Sequence, residues 1–470
     1  MSRFLAVFLL PLYTSYVSAA DYGRIELLMS LMAVVVVVVR GGANFGFIRF
    51  YFLEKDPEYR RRLVRTVFWA QMTYSTLALA LCVLFASQIA RALGIQYKPH
   101  QHLQGTGTSL VIATAVLLWV NVNYAQLTNL FRAEKRSAAF TAATLLNVGI
   151  TIPLTVILVV VYKEGPLGII VGNLSGTMVV FIALLGYRRE QLGLQFDAHL
   201  LRQVNKFGFP LMAAGLAMWV TNFGDRFMIS KLLHGPFRLD ELGQYSLAYK
   251  ISSAMVLLFT AFQIAWPAFA YSIEDEGEAK RAYSYILTYL MFIAAWAAVG
   301  LSLFAPWIVR LLGRNPAYWP AANAIPALAY SSVFFAGFIV VTIATGRSRN
   351  TKFNWVAATL AAVFNFSLNL WLIPAYGMVG AAYATLAAYI LLMLVRTWNA
   401  QKIYRVEYQW RRVVTILLAA GVLTGIGEAL PHSILLALGL TALFPLLLAP
   451  FGFYLPAERE RMRRLLPAHN

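Results

Sequence analysis

Four basic residues of this sequence lie inside long apolar stretches. They are Arg40, Arg49, Arg226 and Lys250. A charge near the middle of a membrane-spanning helix costs about 3 kcal/mol or more unless it faces protein, water or an anion. A guanidinium matches phosphate or carboxylate with a fork of donors, and an ammonium adds a point charge. These residue types therefore indicate a site for an anionic group inside a helical bundle.

The position of each charge limits its role. Arg40 follows six consecutive valines in the apolar run from Ile25 to Phe52, near the middle, and is predicted to face the bundle interior. Arg49 lies closer to the end of that run, and snorkelling to the lipid headgroups is the alternative to a binding role.

Asp225 is the only clear acid that the sequence places at depth. It adjoins Arg226, so a local ion pair is one interpretation. Adjacent residues do not face each other on a helix, and pairing with other helices is the alternative. The predicted substrate-binding residues are Arg40, Arg49, Asp225, Arg226, Tyr249 and Lys250.

The sequence contains no motif for catalysis or metal binding. It lacks a glycine-rich loop that ends in Gly-Lys-Ser or Gly-Lys-Thr. His100 and His102 have no carboxylate or cysteine beside them, and Cys82 is the single cysteine. We therefore predict no catalytic residue, no metal and no cofactor, and a protein that is not an enzyme.

The elements that carry these residues are predicted to be membrane-spanning helices. The chain has 470 residues, of which 60% are hydrophobic and 13% charged, against about 25% charged in soluble proteins. Apolar runs of 18 or more residues recur throughout. The predicted fold class is all-α, a polytopic membrane protein with about 14 transmembrane helices.

The charge distribution predicts the topology. The 39 Lys and Arg residues exceed the 20 Asp and Glu residues, and most lie in short loops on one side, as the positive-inside rule requires. The predicted partner of these loops is anionic membrane lipid, with no nucleic acid. Both termini are predicted to be cytoplasmic. Met1 to Ala20 imitates a secretory signal, and its cleavage is the alternative to a first span from Phe4 to Ala19.

Segments of the first half recur in the second. The outer turn Asp21-Tyr22-Gly23 corresponds to Glu241-Leu242-Gly243, and the turn that ends at Gly168 corresponds to the one that ends at Gly380. The offsets are 220 (243 − 23) and 212 (380 − 168). We predict two pseudo-repeated six-helix lobes plus two C-terminal helices, a parallel-repeat pattern typical of transporters. The predicted domains are an N-terminal lobe (1–186), a cytoplasmic linker (187–206), a C-terminal lobe (207–395), and two extra helices with a basic tail (396–470).

Several segments resemble one family. They are Pro11-Leu12-Tyr13-Thr14, Ala20-Asp21-Tyr22-Gly23, Arg49-Phe50-Tyr51, Asp225-Arg226-Phe227, Gly243-Gln244-Tyr245 and Tyr376-Gly377-Met378-Val379-Gly380. In this order they are similar to polysaccharide-biosynthesis flippases of the Wzx type, in the multidrug/oligosaccharidyl-lipid/polysaccharide exporter superfamily. The resemblance implies two lobes around a cavity that opens alternately to either side. It also implies a location in the bacterial cell inner membrane. The implied substrate is an undecaprenyl-pyrophosphate-linked oligosaccharide, in surface polysaccharide synthesis such as that of lipopolysaccharide O-antigen.

The predicted function is a flippase that moves this lipid-diphosphate-linked oligosaccharide from the cytoplasmic to the periplasmic leaflet through a cationic cavity. Other polysaccharide-assembly proteins are candidate partners. A cation-coupled multidrug antiporter of the same fold is the alternative, although such a mechanism needs more ionisable acids at depth. A membrane-embedded glycan polymerase or ligase is a third hypothesis, but no outer loop is long enough to hold that reaction.

Overall fold

The computed structural model describes residues 9–95, 107–235, 237–347 and 353–454. Every regular element within these ranges is helical, and the helices group into two compact units, residues 9–243 and residues from Gln244 onward. In the first unit the helices are α1 (Leu10–Tyr16), α2 (Ala19–Leu53), α3 (Pro57–Leu84), α4 (Ala86–Ala92), α5 (Gly107–Ala133), α6 (Ser137–Val156), α7 (Gly165–Arg188) and α8 (Ala198–Leu232).

One long helix, α9 (Arg238–Ser272), begins in the first unit and continues into the second. The second unit then contains α10 (Glu276–Leu303), α11 (Ala305–Leu312), α12 (Ile325–Arg347), α13 (Asn354–Ile403), α14 (Trp410–Ala429) and α15 (Ile434–Leu447). A π-helical turn, Ile157–Val161, extends α6, and a 3-10 helix, Pro316–Ala324, precedes α12.

Ten helices among the described residues are long and apolar enough to cross a membrane. One of them, Trp355–Ile403, contains 49 residues and covers two predicted spans, so the ten account for eleven of the fourteen. The other three predicted spans fall on α1, α8 and α15. The prediction of an all-α polytopic fold is confirmed.

In the first unit, α2 packs along α8, and α7 packs against α5 and α6. The core includes the buried side chains of Phe47, Phe68, Phe131 and Val204. The helix α8 begins inside the predicted linker and belongs to this unit, because its face from Leu200 onward is buried there. The boundaries predicted for the domains stay a prediction.

In the second unit, α10 is the central helix, since it packs against α12, α14 and α15. Its buried face carries Ala294, Ala295 and Ala298 beside Met291. Small residues let helix backbones approach closely in an apolar environment, where van der Waals contact drives association.

Two glycines break long helices. Gly41 (φ 49°, ψ −155°) interrupts α2 and Gly377 (φ 58°, ψ −137°) interrupts α13. Only glycine adopts this region of backbone space without strain. The break at Gly377 separates two predicted spans that the helix α13 otherwise joins. The break at Gly41 follows Arg40 directly and gives α2 a change of direction that its apolar sequence does not predict.

The predicted repeat is visible in the backbone. Gly165 has a φ of 54°, and its counterpart 212 residues later is Gly377, with a φ of 58°. Three residues beyond each turn, a further glycine lies against the preceding helix: a Cβ on Gly168 would lie 3.2 Å from the carbonyl of Leu158, and one on Gly380 would overlap the carbonyl of Leu372. Each turn therefore requires one glycine with a positive φ and, three residues later, a second glycine that packs closely against the preceding helix.

The small residues after these turns repeat as well. Gly172 and Gly176 of α7 lie against Thr155 and Thr151, and a Cβ on either glycine would lie 2.6 Å from the Cα atom of its threonine. The residues 212 positions later, Ala384 and Ala388, are fully buried. This shared register supports the six-helix repeat beyond the turn itself.

The two predicted outer turns lie inside helices. Ser18 caps α2 by accepting a hydrogen bond from the Asp21 amide, so Asp21-Tyr22-Gly23 forms its first turns. Glu241-Leu242-Gly243 likewise follows the start of α9 at Arg238. Gly23 and Gly243 meet at a crossing of these helix ends, where a Cβ on Gly23 would lie 3.0 Å from the Gly243 nitrogen. The glycines that predict a turn here serve close packing instead.

Candidate functional site

Buried charges of the first unit lie where α2 packs along α8. Arg226 on α8 is 2% exposed, and its Nε lies 3.6 Å from Oε2 of Glu26 on α2. Its Nη1 donates a hydrogen bond of 2.8 Å to the carbonyl oxygen of Asn222, one turn earlier. The guanidinium also lies 5.3 Å from the centroid of the Phe223 ring. Arg226 is therefore held by an ion pair, a backbone acceptor and an aromatic ring.

Polar groups near this pair fix the two helices in register. Trp219 donates from its indole nitrogen to the carbonyl oxygen of Ser30, at 2.9 Å, and its ring packs 5.7 Å from that of Phe227. Asp225 is fully buried beside Arg226. The pairing of Arg226 with a residue on another helix supports the alternative to a local Asp225–Arg226 pair.

The sequence reading missed Glu26. It is a buried acid, so Asp225 is not the only acid at depth, as the sequence indicated. Glu26 lies at the second position of the apolar run that begins at Ile25. From the sequence it is easily assigned to the predicted turn at Asp21-Tyr22-Gly23. A lone carboxylate within an apolar run is the signal that could have identified it, by the same argument that singled out Arg226.

Arg40 differs from Arg226 in having no ion-pair partner among the described residues. It is half-buried on α2, immediately before the break at Gly41. Within the part of the chain that the structure describes, no carboxylate or hydrogen-bond acceptor contacts its guanidinium. A guanidinium in an apolar span retains its full demand for an anion or water. Of the four predicted residues in the first unit, Arg40 therefore offers the clearest anion-binding group.

Arg40 and Arg226 lie at different depths. Glu26, the partner of Arg226, precedes Arg40 by 14 residues (40 − 26) on one helix. At 1.5 Å per residue this separation is about 21 Å along the axis. The two guanidinium groups therefore do not form one cluster, and a common anion of phosphate size would not touch both.

Arg49 lies at the exposed end of α2. Its guanidinium stacks 4.2 Å from the centroid of the Phe207 ring on α8. A cation over an aromatic face gains about 0.5–1 kcal/mol at an exposed site. This position agrees with the interpretation of Arg49 as a residue that reaches the lipid headgroup region.

The remaining predicted residues, Tyr249 and Lys250, are half-buried on the part of α9 that belongs to the second unit. The ring of Tyr249 lies 6.3 Å from that of Tyr245, one turn earlier. The six predicted residues thus divide into four on the first unit and two on the second. Their shared role in binding a substrate stays a prediction.

Among the described residues there is no group of three or more His, Cys, Asp or Glu side chains that could hold a metal ion. His100 and His102, the histidine pair that the sequence suggested and rejected as a metal site, lie outside those residues. The site as described consists of one ion pair, one unpartnered guanidinium and aromatic neighbours.

A family profile described as "Polysaccharide biosynthesis protein" matches residues 16–315, which include α2, α8 and α9. The match covers more than half of the chain. The chain belongs to the polysaccharide biosynthesis protein family. This membership confirms the family resemblance of the segments from Ala20-Asp21-Tyr22-Gly23 to Gly243-Gln244-Tyr245.

Solved structures share the fold of this family member. A structure titled "Lipid II flippase MurJ, inward closed conformation" matches with a TM-score of 0.76 at 16% identity, over 96% of this chain and 97% of that one. An inward-facing multidrug resistance MATE family transporter of the MOP superfamily matches with a TM-score of 0.69 at 14% identity, over 84% and 92%. This family member therefore shares the fold of these two solved structures, one titled a flippase and the other a transporter.

A relative by sequence is an uncharacterized membrane protein of Methanocaldococcus jannaschii, 27% identical over 173 residues. The match covers 35% of this chain and 33% of the relative, so the chain spans about a third of the length of the curated relative it matches.

Proposed function

We propose that this family member is a flippase for a lipid-diphosphate-linked oligosaccharide. It would move the substrate from the cytoplasmic to the periplasmic leaflet of a bacterial inner membrane, by alternating access, for synthesis of a surface polysaccharide such as O-antigen. The observation that carries the proposal is Arg40, a guanidinium inside the apolar span Ala19–Ala43 that no described carboxylate contacts. Membership in the polysaccharide biosynthesis family and the fold of a lipid II flippase support it.

A diphosphate is the part of such a substrate that needs protein inside the membrane. Burying it without a counter-charge is strongly unfavourable, whereas one charge-assisted hydrogen bond contributes about 2 kcal/mol. Arg40 would supply donors for the diphosphate directly. Arg49 would receive the diphosphate at the end of α2, and Lys250 and Tyr249 of the second unit stay proposed substrate-binding residues.

The ion pair between Glu26 and Arg226 limits the part that Arg226 and Asp225 can play in binding the diphosphate. Because Glu26 already neutralises Arg226, that guanidinium would contact the substrate only through donors that the pair leaves available. Asp225 would not touch the diphosphate, since two negative groups repel. An undecaprenyl chain would remain in the lipid, where the exposed apolar surfaces of the helices lie.

The proposed topology places both termini and the basic loops in the cytoplasm, against anionic lipid. Other polysaccharide-assembly proteins remain candidate partners, because the product must be polymerised or transferred after it reaches the outer leaflet.

One observation favours the alternative of a cation-coupled multidrug antiporter. The carboxylates of Glu26 and Asp225 are both buried in the first unit, and protonation of buried acids can couple to transport. The pairing of Glu26 with Arg226 weakens this alternative, since that carboxylate already neutralises a buried cation. Proton- or sodium-driven export of a cationic dye from proteoliposomes tests it directly.

The flippase proposal is tested with the purified protein in proteoliposomes that contain a fluorescent lipid-diphosphate oligosaccharide. Translocation is followed by quenching with a reagent that does not cross the membrane. We expect Arg40→Gln to slow translocation about tenfold or more, from the loss of about 2 kcal/mol of anion binding. Arg40→Lys should retain part of the rate, and Arg61→Gln, at an exposed position of α3, serves as the control. Normal translocation by Arg40→Gln would overturn the proposal.

A further inference from the structure

A groove of about 650 Å³ opens at one end of the first unit, where α2 ends and the turn between α5 and α6 approaches it. It is separate from the Glu26–Arg226 pair and from Arg40. Four of its lining residues are basic and one is acidic. The lining residues are Tyr51, Phe52, Lys55, Arg60, Ala133, Glu134, Lys135 and Arg136.

Glu134, the single acid that lines the groove, is neutralised by an arginine outside the groove. Both carboxylate oxygens of Glu134 accept hydrogen bonds from Arg188, at 2.8 Å and 2.9 Å. Arg188 is 1% exposed and does not line the groove. Within the described part of the chain, no ion pair joins Lys55, Arg60 or Lys135 to a carboxylate. The groove therefore keeps an excess of positive charge.

Backbone features set the positions of Arg60 and Lys135 in the groove. The Nε of Arg60 donates to the carbonyl oxygens of Tyr51, at 3.0 Å, and Glu54, at 2.9 Å. Its guanidinium lies 5.0 Å from the centroid of the Tyr51 ring. Lys135 occupies the left-handed region with a φ of 60°, which is uncommon for a residue other than glycine. Backbone strain of this kind concentrates at functional sites.

The apolar surroundings indicate what kind of anion fits. Phe52 and Leu53, at the end of α2, are 49% and 66% exposed. The helix α6 begins directly after Arg136, and it exposes Leu145 and Leu146 two to three turns farther along. The basic groove thus lies where the polar end of the unit meets an exposed apolar surface. A ligand with a phosphate at one end and acyl chains at the other satisfies both parts.

We propose that this groove binds the phosphate-bearing headgroup of an anionic membrane phospholipid. Lys55 and Lys135 provide mobile ammonium groups, Arg60 and Arg136 provide guanidinium donors, and Tyr51 and Phe52 form the aromatic wall at the membrane interface. The lipid is a bound ligand of the first unit, and the site does not depend on the transport function proposed above.

The test measures binding of fluorescent phosphatidylglycerol to the purified full-length protein in a neutral detergent. The groove variant is Lys55→Gln with Lys135→Gln, because both side chains are exposed and neither makes a contact that the fold needs. The matched control is Arg61→Gln with Lys206→Gln, which removes two exposed positive charges outside the groove. We expect the groove variant to weaken binding about tenfold or more and the control to change it by less than about twofold.

Each arm of the experiment has a result that overturns the proposal. Equal loss in both double variants would mean that binding reflects the total charge of the chain. Equal binding of phosphatidylcholine would mean that the acyl chains alone are recognised. If inorganic pyrophosphate displaced the lipid at a concentration similar to that at which the lipid binds, the groove would be a site for a free anion and not for a phospholipid. If the groove variant unfolds at the wild-type temperature, its weaker lipid binding reflects the change in the groove and not a loss of folded protein.

Discussion

The Nε atom of Arg226 lies 3.6 Å from a carboxylate oxygen of Glu26, and this ion pair joins α8 to α2 inside the apolar first unit. The two side chains are 2% and 10% exposed. Their charges cancel, so the interior of this unit is less positive than a count of its basic residues indicates. What remains unbalanced is Arg40, about 21 Å farther along α2.

Glu26→Gln should destabilise the protein strongly. The change leaves Arg226 buried without its counter-charge, and breaking a buried pair in this way costs about 3–5 kcal/mol. Replacing both residues, as Glu26→Met with Arg226→Met, should restore most of the stability, because neither buried charge remains. Thermal unfolding of the detergent-solubilised variants measures both effects. If Glu26→Gln unfolds at the wild-type temperature, the pair does not hold the two helices together.

Glu134→Gln should destabilise the first unit through Arg188. The guanidinium of Arg188 is fully buried, makes two hydrogen bonds to the carboxylate and stacks 4.1 Å from the centroid of the Phe131 ring. We expect a loss of about 3 kcal/mol in the free energy of unfolding.

The control for this prediction is Arg136→Gln. Arg136 lies 3.7 Å from the same carboxylate, but its side chain is 54% exposed. Exposed pairs contribute less than about 1 kcal/mol, so this variant should unfold close to the wild-type temperature. Equal losses for the two variants would contradict the assignment of Arg188 as the principal partner.

Arg40→Leu should stabilise the protein while impairing its transport. A guanidinium without a counter-charge in the apolar part of α2 costs stability, and leucine removes that cost. We therefore expect a higher unfolding temperature together with slower translocation in the proteoliposome assay. A residue kept at the expense of stability is typical of a functional site. A fall in unfolding temperature would show that Arg40 serves the fold instead.

Gly41→Ala should destabilise α2 although space is available for the new methyl group. No atom outside the local backbone lies within 4 Å of that position, but the φ of 49° is strained for alanine. We expect a loss of about 1–3 kcal/mol.

The control is Gly149→Ala in α6, where the space is equally open and the φ is not positive. There alanine should leave stability unchanged or raise it by about 0.5–1 kcal/mol, because glycine is the poorer residue within a helix. Chemical denaturation of the two variants separates the effect of the backbone angle from that of the added atoms.

Much of the fold could be predicted because its signals are local. The apolar runs around Val34 to Val39 and in α10, α12 and α14 specify helices by length and composition alone. The 212-residue offset between Gly168 and Gly380 also predicts the repeat, since both glycines answer the same backbone requirement. The turns predicted at Gly23 and Gly243 are helical in the structure. Glycine serves close packing as well as turns, and the sequence does not distinguish the two uses.

The candidate site depended on contacts that hydropathy does not encode. The sequence by itself determined a polytopic helical membrane protein with charges inside its spans, because each span is specified by its own residues. Only the tertiary structure decided which charges are neutralised. Glu26 and Arg226 are 200 positions apart (226 − 26), and their pairing depends on the rotation and register of α2 against α8. Arg40, which lies on the same helix as Glu26, was left without a counter-charge by that same arrangement.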